Sequence, residues 1–114
     1  MKNQEAIRER YMRDPLPIRL GGLAADLARI QSFSDHPGNG DVVVSLVEES
    51  RFLIEWTALD AELEKQVVLV ELQRQLTRWQ RSWAQIWADP VRRAAVAEQA
   101  GVWSERVLGM SGLL

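Results

Sequence analysis

The sequence predicts an all-α protein: a four-helix up-and-down-type bundle with one long helix and a short N-terminal helical arm. Apolar residues recur at steps of three and four along most of the chain, a spacing that places side chains on one face of a helix. The stretch from Leu59 to Ala88 contains neither Gly nor Pro. At a rise of about 1.5 Å per residue, it predicts a rod of about 45 Å.

The first half of the chain predicts an arm, a helix and a loop. Residues 1–13 form the arm, and Asp14-Pro15-Leu16-Pro17 ends it because a residue that precedes proline avoids helical angles. The second helix, residues 16–34, carries an apolar seam at four-three spacing, as expected of a helix in an antiparallel bundle. This seam consists of Leu16, Leu20, Leu23, Leu27 and Ile30. Turn-forming residues between Ser34 and Gly40 predict a loop.

Three further helices complete a single predicted domain, residues 1–114. Asp41 is suited to cap a helix over residues 41–56. Thr57-Ala58-Leu59-Asp60 resembles a capping box with Asp in place of Glu, which predicts a tight bend at Trp56–Thr57 and a long helix over residues 58–88. Asp89-Pro90 is a strong helix start and predicts the last helix over residues 90–110.

The long helix has two apolar stripes on roughly opposite sides, at about 100° per residue. The first stripe is Leu59, Leu63, Val67 and Val70, and the second is Leu72, Leu76, Trp79, Trp83 and Ile86. A helix that is apolar on different sides at its two ends has different neighbours there. Either the helix packs on a second chain, or it breaks near Val67–Val70; residues 66–73 contain no helix breaker, which favours the first. The sequence leaves open which stripe faces the chain's own core.

Composition and charge exclude several classes of protein. The chain has no cysteine, which excludes disulfides, thiolate metal sites and cysteine nucleophiles. A net charge of −2 gives no general attraction to nucleic acid, and no apolar run approaches the ~18 residues of a membrane span. The N-terminus lacks the apolar core of a signal peptide. We therefore expect a soluble cytoplasmic protein, with no nucleic acid partner and no membrane span.

The charges are unevenly distributed along the chain. Residues 41–71 carry eight acids and two bases, net −6, whereas residues 72–93 carry five arginines and one acid, net +4. Arg74, Arg78 and Arg81 fall on the side of the long helix away from the tryptophans. Attraction between the acidic and basic halves of neighbouring subunits would set the register of an assembly.

Motifs for catalysis or metal binding are weak, and the sequence predicts no catalytic residue, cofactor or metal. His36 is the only histidine, and its loop fails the calcium-loop pattern because the twelfth position is Leu46 rather than Glu. An alternative is a carboxylate–Mg²⁺ enzyme resembling helical nucleotide pyrophosphatases, which would use Glu48, Glu49, Glu62 and Glu64. Another is a bundle that binds a planar ligand against Trp79, Trp83 and Trp87.

The segments Asp14–Ala24 and Trp103–Leu108 resemble small uncharacterised proteins of cyanobacteria. The resemblance implies a helical protein and assigns no catalytic residue. The two apolar stripes, with no catalytic residue beside them, predict a non-catalytic, self-associating interaction or assembly protein. We expect a homo-oligomer, with a dimer favoured, or a complex with another protein.

Overall fold

Six α-helices dominate residues 3–113, which are the residues that a computed structural model of the protein describes. They are α1 (Gln4–Met12), α2 (Leu16–Phe33), α3 (Gly40–Thr57), α4 (Leu63–Arg81), α5 (Trp83–Ala88) and α6 (Pro90–Met110). One 3-10 turn, Pro37–Asn39, precedes α3, and a second, Ala58–Asp60, follows it. No strand occurs among these residues, which confirms the all-α class; the count of six helices differs from the predicted bundle of four plus an arm.

Helix α2 is central, since it packs against both α6 and α3, while α4 packs on α3 and α5 packs on α6. The predicted seam of α2 is fully buried from Leu20 to Ile30, and Leu16 is partly buried at its start. Polar contacts also join α3 to α4: Gln73 Nε2 donates to the Arg51 carbonyl oxygen at 3.1 Å, and the Arg51 guanidinium donates to Gln80 Oε1.

The start of α6 confirms its predicted cap. Asp89 is extended, its Oδ1 accepts a hydrogen bond from the Val91 backbone N–H at 2.9 Å, and Pro90 is the first helical residue. The start of α3 differs by one residue, because this helix begins at Gly40 with Asn39 as its N-cap. Asp41 lies in the first turn instead, where its negative charge faces the positive end of the helix dipole.

The predicted helix over residues 58–88 is divided. Helix α3 runs on to Thr57, residues 58–60 form a 3-10 turn, and the backbone is extended at Ala61 and Glu62. Gln66 Nε2 donates to the Ala61 carbonyl oxygen at 2.9 Å and fixes the entry to α4. The predicted tight bend therefore lies at residues 58–62 rather than at Trp56–Thr57.

A second interruption separates α4 from α5 at Ser82, whose ψ of 20° is outside the helical range. After this interruption, α5 packs against α6. The alternative of a break near Val67–Val70 is wrong, since α4 is continuous there.

Candidate interaction surface

The two apolar stripes of the predicted long helix lie in different environments. Leu72 and Leu76 are fully buried, Trp79 and Ile86 are 4% exposed, and Trp83 is half-buried. These residues form part of the chain's own core. The second stripe is therefore the intramolecular one.

The first stripe is exposed along its whole length. Leu59 in the 3-10 turn is 89% exposed, and on α4 the exposed fractions are 75% for Leu63, 53% for Val67 and 49% for Val70. Four of the ten large apolar side chains that are exposed between residues 3 and 113 thus lie within twelve residues of sequence. The others are dispersed over α2, α3, α6 and the C-terminal end of the described part.

The same face of α4 continues into the three arginines of its second half. Leu63, Val67, Val70, Arg74, Arg78 and Arg81 follow one another at steps of four or three, so they form one line on the helix. All six are exposed. We call this line the α4 ridge; its N-terminal half is apolar and its C-terminal half is basic.

A groove of about 630 Å³ runs along α3 beside the arm α1. Its apolar walls come from Ile7, Val42, Leu46, Phe52 and Trp56, and its other lining residues are Gln4, Asp41, Ser45, Glu48 and Glu49. The rings of Phe52 and Trp56 stack with centroids 5.8 Å apart. We call this feature the α1–α3 groove. Sequence reasoning missed it, because its second wall comes from a helix more than 30 residues away in the chain.

Hydrogen bonds to Tyr11 hold the arm on the body. The Tyr11 hydroxyl donates to the Arg19 carbonyl oxygen at 2.8 Å and accepts from Thr57 Oγ1 at 3.0 Å. Burial raises the pKa of Tyr11 to about 12. The Tyr11 ring also contacts Trp56, with centroids 6.0 Å apart, so the arm and the aromatic end of the groove are one packed unit.

The three tryptophans of the planar-ligand alternative do not form a common wall. Trp79 is buried, whereas Trp83 and Trp87 stack on each other with centroids 5.2 Å apart. Trp87 Nε1 donates to the Pro37 carbonyl oxygen at 2.7 Å, and the Arg93 guanidinium lies 5.3 Å from its ring centroid. The indole N–H of Trp87 thus has a hydrogen-bond acceptor at the edge of the fold, which a buried tryptophan needs.

A cleft of about 410 Å³ lies between α4 and α6. Arg78, Arg81 and Arg92 contribute to its lining, and the 4% of Trp79 that is exposed leaves little ring surface for a ligand to stack on.

The carboxylates considered for Mg²⁺ are not gathered in one place. Glu48 and Glu49 line the groove, whereas Glu62 and Glu64 are exposed at the start of α4. No group of three or more His, Asp or Glu side chains within residues 3–113 is arranged to hold a metal ion. His36 Nδ1 accepts a hydrogen bond from the Gly38 backbone N–H at 2.9 Å, at the start of the 3-10 turn Pro37–Asn39.

Asp26 is the one deeply buried carboxyl group with a strongly shifted pKa in the described part of the chain. Its Oδ1 accepts from Arg29 at 2.9 Å, while its Oδ2 is buried without a partner. Burial, and then the nearby carboxylate of Glu49, raises the pKa of Asp26 to about 8.

Within residues 3–113, no helix combines the length and the apolar character that crossing a bilayer requires. No known protein family, curated protein or solved structure matches the chain, so the resemblance to cyanobacterial proteins stays a prediction.

Proposed function

We propose that the protein is a non-catalytic assembly protein that associates with further copies of itself through the α4 ridge. The observation that carries this proposal is the exposure of Leu63, Val67 and Val70 along one line of α4, with Leu59 exposed in the turn before it. Monomeric proteins expose single apolar side chains everywhere, but contiguous apolar patches mark interaction sites.

The size of the chain supports the same proposal. A domain of 114 residues buries only about two thirds of the surface of its unfolded chain. Removing the apolar half of the ridge from water would add a favourable term of about 25 cal/mol for each Å² buried. A dimer is the simplest assembly that would provide this burial.

Sedimentation equilibrium at micromolar concentrations tests the proposal directly. We expect the unmodified protein to form a dimer or a larger species and Val67→Glu to be a monomer, since a carboxylate would have to lose its water on association. Circular dichroism should show the same helicity for both, because the Val67 side chain is 53% exposed.

The matched control is Val102→Glu on α6, where the valine is 60% exposed but outside the ridge. It should associate like the unmodified protein. A strict monomer for the unmodified protein at high micromolar concentration, or equal loss of association in both variants, would contradict the proposal.

A further inference from the structure

We propose that the α4 ridge of one copy docks into the α1–α3 groove of a second copy. This inference rests on the proposed function and names the surface that receives the ridge. Both surfaces are part apolar and part charged, and their charges are opposite. The acids of the groove are Asp41, Glu48 and Glu49, and the ridge carries Arg74, Arg78 and Arg81. The described lining of the groove contains no basic residue.

The order of charge along the two helices sets their relative direction. On α3 the acids lie at the N-terminal end and in the middle of the groove, interspersed with Val42 and Leu46. Phe52 and Trp56 lie at its C-terminal end, where there is no acid in the lining. On α4 the order is reversed, with the apolar residues first and the arginines last. An antiparallel arrangement therefore brings Phe52 and Trp56 against the apolar half of the ridge and the acids, with Val42 and Leu46 between them, against the basic half.

The lengths and the register agree with this arrangement. Residues 41–56 span about 22 Å of helix and residues 63–81 span about 27 Å, at the rise of an α-helix. When Trp56 is placed opposite Val67 in antiparallel order, Glu49 falls opposite Arg74. Asp41 then falls within one residue of Arg81.

Two α4 ridges do not complement each other in this way. In a full-length antiparallel pair, the apolar half of each ridge would lie against the arginines of the other. In a parallel pair, the arginines would lie against arginines, and like charges across an interface are costly. The groove offers both an apolar surface and the opposite charge, so it is the better partner for the ridge.

Each ridge–groove contact joins two different surfaces. If the two copies exchange ridges reciprocally, two such contacts are related by a two-fold axis, and the assembly closes as a dimer whose whole interface is isologous. If they do not, each copy keeps one free ridge or one free groove, and the assembly extends into a ring or a chain. Either result follows from the same ridge–groove joint.

Charge reversal on each surface tests the joint. Glu48→Arg in the groove and Arg74→Glu on the ridge change exposed side chains, so both variants should keep the fold. Each alone should weaken self-association about tenfold or more, because each places like charges across the joint. An equimolar mixture of the two should recover the affinity of the unmodified protein, since in the mixed pair every reversed charge meets an opposite one.

Glu98→Arg on α6 is the matched control, since Glu98 is exposed and lies outside both surfaces; it should leave association unchanged. If Glu48→Arg associates normally while Val67→Glu is monomeric, the groove is not the partner and only the proposed function survives. If the mixture does not recover affinity, the joint is likewise refuted. If the unmodified protein is itself monomeric, both proposals fail.

Discussion

Arg19 on α2 forms an ion pair with Asp60 in the turn before α4, with Nη1 and Oδ2 2.9 Å apart. The Arg19 side chain is only 8% exposed, and its Nε donates to the Asp14 carbonyl oxygen at 3.0 Å. One guanidinium thus joins the end of the arm, helix α2 and the turn that starts α4. This contact fixes the position of Leu59 and the direction in which α4 leaves the body.

Replacement of Arg19 should therefore cost more stability than its single ion pair suggests. We expect Arg19→Ala to lower the free energy of unfolding by about 2 kcal/mol, below the usual cost for a fully buried pair because Asp60 is 48% exposed. Urea denaturation followed by circular dichroism measures the difference. Arg13→Ala changes an exposed arginine between α1 and α2 and should cost less than about 0.5 kcal/mol. Equal effects of the two changes would mean that the buried guanidinium contributes nothing of its own.

The Arg19–Asp60 pair also explains why the boundary of the long helix could not be predicted. The two residues are 41 positions apart, so no local pattern indicates that Asp60 is held in a turn. Local signals did predict what depends on neighbouring residues, namely the seam of α2 and the Asp89-Pro90 start. The absence of a helix breaker favoured the continuity of α4 through Val67–Val70 without deciding it. Periodicity also predicted two opposite stripes, but only the packing of α3 and α6 shows that Leu72 and Trp79 face inward.

Trp79 and Trp83, which the sequence places on one predicted helix, should differ in their contribution to stability. Trp79 is 4% exposed in the core, whereas Trp83 is half-buried and stacks on Trp87. We expect Trp79→Ala to cost about 3–5 kcal/mol of unfolding free energy and Trp83→Ala about 1–2 kcal/mol. Urea denaturation of both variants provides the comparison. A larger loss for Trp83→Ala than for Trp79→Ala would contradict the conclusion that Trp79 is the main tryptophan of the core.

Asp26 should make the stability depend on pH. The folded carboxyl group keeps its proton up to a pKa of about 8, whereas an unperturbed one loses it near 3.8. Between these values the unfolded chain binds fewer protons, so the free energy of unfolding falls as pH rises. We expect a loss of more than about 1 kcal/mol between about pH 5 and about pH 8, since one pKa unit corresponds to about 1.4 kcal/mol.

Asp26→Asn should remove this dependence, because the amide stays neutral and still offers an oxygen to Arg29. The variant should be more stable than the unmodified protein at about pH 8. Asp35→Asn, in the exposed loop, should leave the pH dependence as it is. A pH profile that Asp26→Asn does not flatten would place the titrating group elsewhere.

Replacement of glycine by alanine should raise the free energy of unfolding at one position and lower it at another. Gly109 lies in the last turns of α6, and a Cβ there meets no atom within 4 Å. Gly109→Ala should therefore raise the free energy of unfolding by about 0.5 kcal/mol, through helix propensity alone. A Cβ on Gly40 would lie 2.8 Å from Trp87 Nε1, and that ring is held by its hydrogen bond to Pro37.

Gly40 has helical angles, so the added methyl group causes no backbone strain and its effect comes from the crowded indole. We expect Gly40→Ala to cost about 1–2 kcal/mol, as overpacking does when a neighbour cannot move freely. Thermal or urea denaturation of the two variants measures both changes in the free energy of unfolding, the gain for Gly109→Ala and the loss for Gly40→Ala. Tryptophan fluorescence reports whether Trp87 has moved. If Gly40→Ala is as stabilising as Gly109→Ala, the indole is free to shift and the Trp87–Pro37 hydrogen bond does not fix the start of α3 against α5.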